Sequence, residues 1–401
     1  MANSTASLAP RSGALENTTD NFSAHRNSSD LRWSKLEWLR KESTLRRQRM
    51  CMTRGFADRV TVRRGSTSIG FGGLMACGHR ACPVCGPNLA AQNRADIIQA
   101  VRSWREGDGG SVAFGTFTVR HRLGQSFAEL KEAVSLGWHA VTGGRGWVRD
   151  RRDHGVEHWI RVFEEKYSPV TGWHLHIHYL VFVKPGHEMR TQELLASMFH
   201  RWRRSALSLG FSAPLIDGQE LHEVTGDGAD TKMGDYFTKQ TTATAERTAE
   251  QIGLELTHRD GKFTGESFTP GELLTLAVVG FDDQFRRLWG EYERGMLKRR
   301  VIAWSKGLRA ATGIGDMLSD EEAAQLEGEE ARRTVIEMWA HSFRHLVSFG
   351  RRRELLRRAW ESPEQAVAWL AELGVVAVVG SMDRVGYAAD DVPAFEGDLP
   401  W

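Results

Sequence analysis

"GWHLHIHYLVFV", residues 172–183, puts histidines at 174, 176 and 178 and then continues as an unbroken apolar run. On a β-strand, residues two apart share a face, so His174, His176 and His178 point the same way. Ile177, Leu180 and Phe182 supply the interspersed apolar groups of a buried strand. The preceding stretch "VEHWIRVFEEKYS", residues 156–168, reads as a second strand, and the turn signal "SPVTG" between them predicts an antiparallel hairpin. Two adjacent imidazoles on a stiff strand make a bidentate clamp for a divalent ion, which then needs a third ligand. Glu164 and Glu165 lie across the hairpin with opposite orientations, so one of them should face the histidines. Imidazole plus carboxylate with open water positions suits Mn2+ or Mg2+. A lone histidine would read as a core or surface residue; three at strand spacing beside a Glu pair read as a site.

Working outward, "SVAFGTFTVRH" (111–121) has the β-branched and aromatic alternation of a strand, and "LIDGQELHEV" marks a short one. Helical spacing is read in "LRWSKLEWLRKESTLRRQRM", "GPNLAAQNRADIIQAVRSWREG", "SFAELKEAVSLGWHAVTG", "RTQELLASMFHRWRRSALSLG" and "DTKMGDYFTKQTT". Residues 268–311 look helical and basic, and 319–376 helical before the short apolar run "GVVAVVG". Strands and helices mix without regular βαβ alternation. The pattern predicts an α+β fold with an antiparallel central sheet.

Composition is ordinary for a globular protein, 41% hydrophobic and 26% charged, so a sizeable core is available. The net charge of +2 hides an asymmetry. Between Arg32 and Arg64 eleven Arg and Lys face three acids, whereas acids cluster at Asp316–Glu330 and Asp383–Asp398. A basic stretch is attracted to phosphate backbones, although a solvated helix face explains it equally well. No apolar leader and no run long enough to span a bilayer is visible, which predicts a cytoplasmic protein without a membrane partner.

The four cysteines are Cys51, Cys77, Cys82 and Cys85, the last three inside "CGHRACPVC". In a reducing compartment such clustering points to metal before disulfide. The Cys82–Cys85 knuckle suits tetrahedral zinc, with Cys77 and Cys51 completing a four-sulfur site and His79 as the substitute if Cys51 is remote. Four ligands leave no open position, so this zinc would be structural.

"GDYFTKQ" places Tyr236 and Lys239 three apart, on one face of a helix. A lysine there can help a phenolate form and neutralise phosphate charge. By itself this motif is an ordinary amphipathic helix; sixty residues after the histidine strand it carries more. Taken together, "FGTFTVRH", "GWHLHIHYLVFV" and "YFTK" occur in the order found in the HUH single-strand endonucleases. The chain resembles, within them, the rolling-circle plasmid replication initiators of the Rep_1-type family, and its "CGHRACPVC" and "LWGEYERGMLKRRVIAWSKGL" look like actinobacterial members. The resemblance covers roughly residues 45–310.

That resemblance implies His176 and His178 as the metal-binding pair, with His174 a less certain helper. It implies Glu165 as third ligand with Glu164 in reserve, Tyr236 as nucleophile and Lys239 as the motif lysine. It also implies an HUH-endonuclease site on the central sheet. Residues 1–30, rich in Ser, Ala, Asn and Thr without periodicity, read as disordered. A basic zinc-binding module 31–105, an endonuclease domain with a helical DNA-binding extension 106–311, and a helical C-terminal region 312–401 outside the resemblance complete the expected order. Single-stranded or supercoiled origin DNA would be the partner, with host helicase and polymerase to follow; the oligomeric state is left open. Basic residues near Arg46–Arg64, Arg201–Arg204 and Lys298–Arg300 would hold the DNA backbone. Where some relatives carry a glutamate four residues before the tyrosine, this chain has Lys232; Asp235, Asp230 and Glu223 are the candidates to replace it. Conjugative relaxases place the tyrosine before the histidines, and single-strand transposases or phage initiators add a second tyrosine where this chain has Gln240, so both are weaker matches. A zinc-dependent DNA-binding regulator without catalysis is the alternative of a different class.

Overall fold

The computed structural model describes residues 28–55, 58–65, 69–107, 109–238, 267–280, 282–296, 302–316 and 333–381, with residues 28–30 and 235–238 described by their backbone alone. The segment expected to be disordered lies outside these residues up to position 27, and Ser28 opens the helix Ser28–Glu42. Among the described residues nine strands are formed: β1 (Arg59–Arg64), β2 (Ile69–Gly72), β3 (Ser111–Thr118), β4 (Val156–Ser168), β5 (Gly172–Val183), β6 (Glu220–Glu223), β7 (Ile302–Trp304), β8 (Arg333–Trp339) and β9 (Ala377–Val379). They make two antiparallel sheets, ordered β6-β3-β5-β4-β7 and β2-β1-β8-β9. The fold is α+β. The chain divides into two compact units, one of Met1–Lys35 with Leu89–Leu318, the other of Leu36–Asn88 with Ser319–Trp401.

In the first unit β5 is the middle strand, which is why its sequence runs on without polar alternation after His178: Tyr179 to Val183 are all fully buried. β4 pairs with it around the loop Pro169–Thr171, with Ser168 opposite Gly172 and Glu164 opposite His176. Gly172 takes φ +82, a left-handed conformation that a Cβ would penalise. Residues directly opposite share a face, so the even-numbered positions of β3, β4 and β5 line one side of the sheet. On that side Val112, Ile160, Val162, Leu180 and Phe182 pack with Ile97, Val101 and Trp104 of the helix Cys85–Glu106. Each such fully buried apolar side chain contributes roughly 1.5–3 kcal/mol.

The odd-numbered side is covered by the helices Phe127–Val141 and Thr191–Ser208. Phe117 stacks on Tyr179 and on Trp202, each at 4.9 Å. Gly137 permits this: a Cβ there would come within 2.6 Å of the Trp202 ring. The helix Phe127–Val141 opens with a capping box, in which Ser126 and Glu129 satisfy each other's backbone N–H groups.

In the second unit β1 pairs with β8, from Arg59 opposite Trp339 to Arg64 opposite Arg333. The expectation that 319–376 is helical is therefore corrected over Arg333–Trp339. That stretch, "RTVIEMW", carries the β-branched run Thr-Val-Ile and gains strand hydrogen bonds from a partner far away in sequence. Three helices follow, Ala340–Ser348, Arg352–Glu361 and Pro363–Glu372, and β9 realises the apolar run before Gly380.

Candidate functional site

Where the apolar cluster on the even face of the first sheet ends, the same face turns polar. His176 and His178 on β5 meet Glu164 on β4. Glu164 Oε2 contacts His178 Nε2 and lies 2.8 Å from His176 Nε2, while Oε1 binds Lys166 Nζ at 2.8 Å. The approach at His176 is not that of a hydrogen bond, so its Nε2 is a buried polar atom without one. Ligand atoms of Glu164, His176 and His178 lie within 4.8 Å of one another. Two imidazole nitrogens converging on one carboxylate oxygen, one of them unsatisfied, are the donor set and crowding that a divalent cation relieves. These residues fit such an ion.

The carboxylate on this face is Glu164 and not Glu165, which the resemblance favoured. The reason is the parity of the turn. A three-residue loop between Ser168 and Gly172 puts even opposite even, so Glu165 faces Leu175's side of the sheet. There it forms a buried ion pair with Lys131 at 3.2 Å, the two side chains being 1% and 3% exposed. His174 also departs from a ligand's position. It shares the face, but its Nε2 lies 3.0 Å from His176 Nδ1, behind that ring, and its own ring meets His121 edge-on at 4.7 Å.

On its other side, His178 Nδ1 lies 3.0 Å from the hydroxyl of Thr116, which donates to Glu220 Oε1 at 3.0 Å. Phe114 stacks against the His178 ring at 5.7 Å. Burial pushes His174 down to about 4, with the neighbouring His176 and His121 rings adding to the effect. Burial also lowers His178, against the pull of Glu164. For Glu164 burial opposes ionisation, but the close approach and charge of His176 and His178 outweigh it and hold the carboxyl well below the usual range. A neutral His178 imidazole beside an ionised Glu164 carboxylate is a pair of protonation states that binds metal.

The helix Ala229–Thr238 carries Tyr236 and packs on this same face. Ala229 and Met233 join the cluster of Val162, Leu180 and Phe182. A Cβ on Gly234 would stand 2.4 Å from Ile98 Cγ1 and 3.2 Å from the Arg94 carbonyl, so only glycine lets this helix approach the helix Cys85–Glu106 so closely. Arg102 locks the two together through Asp230 at 2.7 Å. Position 236 follows 229 and 233 at i+7 and i+3, the spacing of one helical face. The Tyr236 side chain and Lys239 lie outside the described residues, as does the pairing expected between them.

Lys232 is exposed on this helix. Of the carboxylates considered in its stead, Asp230 is engaged by Arg102. Glu223 pairs with Ala113 and so belongs to the opposite face of the sheet; the Asp235 side chain is outside the described set. Arg201 is likewise engaged: it binds Asp150 and the Val141 carbonyl, leaving Arg203 and Arg204 exposed beside it. Lys298–Arg300 fall outside the described residues. Thr116 and Glu220 went unnoticed in sequence; only the pairing of β6 with β3 puts Glu220 on the histidine face.

In the second unit Cys51, Cys77, Cys82 and Cys85 converge, all buried. Cys51 Sγ lies 3.5 Å from Cys85 and 3.6 Å from Cys82, and Cys77 lies 3.7 Å from Cys85. Tetrahedral zinc with bonds of about 2.3 Å separates its sulfurs by roughly 3.8 Å, so the group fits zinc. The neighbouring thiols lower Cys85 well below its ordinary value, whereas burial raises Cys82. His79 takes no place; its Nδ1 accepts from the Ala81 N–H at 3.2 Å. Buried Arg352 braces the loop from outside, donating to the carbonyls of Met52 (2.5 Å) and Cys51 (3.4 Å) and pairing with Glu37 at 2.6 Å. Met52 is held at φ +53, an uncommon left-handed position for a side chain of this size.

Comparison with known proteins bears on the family. Residues 73–342 match the family model described as replication protein, Rep_1. Protein rep of Streptomyces lividans is 27% identical over 330 residues, covering 66% of this chain and 70% of that protein. A neomycin resistance protein of Streptomyces cyanogenus is 29% identical over 170 residues, 33% of this chain and 39% of that protein. No solved structure matches.

Proposed function

The chain belongs to the Rep_1 family of replication proteins, and from that premise we propose that it initiates rolling-circle plasmid replication by nicking and rejoining one strand of origin DNA. The observation that carries this reading is the convergence of His176, His178 and Glu164 on the face of the sheet against which the Tyr236 helix packs. In this reading the site is of the HUH type, and Glu164, His176 and His178 hold Mn2+ or Mg2+. When bound, the ion supplies Lewis-acid polarisation of the scissile phosphate.

Tyr236 is the nucleophile. Its phenolate oxygen forms a bond to phosphorus as the bond from phosphorus to the 3′-oxygen breaks, leaving a 5′-phosphotyrosine and a free 3′-hydroxyl for a polymerase to extend. The phosphodiester bond energy is kept in the covalent link, so rejoining requires no ATP. Lys239 neutralises phosphate charge, and the helix contact at Gly234 with the Arg102–Asp230 ion pair positions the nucleophile. The cysteine group holds a structural zinc and gives the second unit a fixed surface for origin recognition. Host helicase and polymerase act after the nick. Among the described residues no helix is long and apolar enough to cross a membrane. The action on DNA is placed in the cytoplasm in this reading.

Purely structural DNA binding would rest on the cysteines and the basic segments. It leaves the buried, unsatisfied His176 Nε2 without a purpose. The test is incubation with single-stranded origin oligonucleotides and Mn2+, followed by a denaturing gel. A protein–DNA adduct lost in Tyr236→Phe is expected, and binding without cleavage under every divalent ion would overturn the proposal.

A further inference from the structure

We propose that Glu220, acting through Thr116, is a positioning residue that fixes the tautomer of His178 and thereby aims its Nε2 lone pair at the cation. The inference rests on reading Glu164, His176 and His178 as the cation site. An ionised carboxylate can only accept hydrogen bonds, and a hydroxyl has one proton to give. Thr116 Oγ1 lies 3.0 Å from Glu220 Oε1 and 3.0 Å from His178 Nδ1. Its single proton is taken by Glu220, so toward His178 the hydroxyl presents a lone pair. His178 Nδ1 must then carry the proton, which leaves Nε2, the atom facing Glu164 Oε2, as the nitrogen whose lone pair binds the cation.

The backbone builds this row. Glu220, Thr116 and His178 are directly opposite one another across β6, β3 and β5, so their side chains stand in one line on one face. Thr116 is 9% exposed and His178 6%, which keeps water from replacing the hydroxyl. Phe114 closes the other side of the imidazole. Glu220 itself is half-exposed, its second oxygen 3.3 Å from His222 Nε2. It can be changed without emptying the core. Without its carboxylate, the Thr116 proton is free to turn toward Nδ1, which favours the tautomer whose Nε2 holds a proton and cannot bind a metal.

The experiment is a Mn2+ titration of the full zinc-loaded chain by electron paramagnetic resonance, run beside thermal melts. Wild type, Thr116→Val, Thr116→Ser, Glu220→Met and Glu164→Gln are compared. Loss of the hydroxyl in Thr116→Val, or of the acceptor in Glu220→Met, should weaken Mn2+ about 10- to 100-fold, while Thr116→Ser binds as wild type. Melting of Glu220→Met should be unchanged, which separates tautomer control from a structural role. Wild-type affinity in both Thr116→Val and Glu220→Met overturns the inference and leaves the cation site standing. So does a Thr116→Ser variant as weak as Thr116→Val, because packing and not the hydroxyl would then be responsible. If wild type binds no Mn2+, or Glu164→Gln binds it equally well, the cation reading itself fails and the inference falls with it.

Discussion

Glu164 and Glu165 are chain neighbours with opposite environments, and exchanging each for glutamine should produce opposite phenotypes. Glu165 is 1% exposed and pairs at 3.2 Å with Lys131, whose ammonium also sits 3.4 Å from the centre of the Phe163 ring. Glu165→Gln takes a buried carboxylate partner away from that ammonium. Breaking one side of a buried pair costs about 3–5 kcal/mol. For a unit of this size each kcal/mol lowers the melting temperature by roughly 2–4 °C, so a fall of about 6–20 °C is expected. Mn2+ affinity should survive, because the side chain is on the far face. Glu164→Gln should do the reverse. The amide keeps the shape and packing of the carboxylate, so the melt moves less than for Glu165→Gln. Losing a charge-assisted ligand contact of about 1.5–3 kcal/mol weakens Mn2+ by roughly 10- to 150-fold. Calorimetry for stability and a Mn2+ titration for affinity separate the two. The reasoning is refuted if Glu165→Gln abolishes Mn2+ binding and Glu164→Gln spares both binding and nicking.

Three further outcomes follow from the geometry. Gly234→Ala pushes a Cβ against Ile98 and displaces the Tyr236 helix; nicking should slow by up to about 100-fold with oligonucleotide affinity unchanged in a filter-binding assay. Arg352→Ala leaves the Met52 and Cys51 carbonyls without their buried donor, so zinc should be released to a colorimetric chelator faster than from wild type, with one zinc per chain at the start in both. The His174 value is depressed by burial to about 4 in the folded chain, against roughly 6.5 when unfolded. The unfolded state therefore binds the extra proton between pH 4 and 6.5, and stability rises with pH across that window. The urea midpoint should climb from pH 4 to 6.5, and His174→Gln should flatten the climb.

How much of this was legible in the sequence depends on the range of the interaction. The β4–β5 hairpin could be read from residue alternation and the "SPVTG" turn because both signals are local. Its register could not. One residue more or less in the loop exchanges Glu164 for Glu165, and "SPVTG" is compatible with either parity. The cysteines announced themselves by chemistry and spacing, and buried sulfurs from Cys51 and Cys77 meet the knuckle in the structure. Pairing of β1 with β8 had no local signal, because Arg59–Arg64 reads as part of a basic stretch and Arg333–Trp339 as an extension of helical sequence. Glu220 was hidden for the same reason. Its partner Thr116 is far away in the chain, and the strand order β6-β3-β5 that joins them to His178 is a tertiary fact.

The most direct test of the account is to digest the adduct formed with a 5′-labelled origin oligonucleotide and Mn2+, and to map the nucleotide-bearing peptide by mass spectrometry. The account predicts a phosphodiester link at Tyr236, a released strand ending in a 3′-hydroxyl, and no adduct in Tyr236→Phe or His176→Ala. A link at any other residue, or cleavage that proceeds without a covalent intermediate, would contradict it.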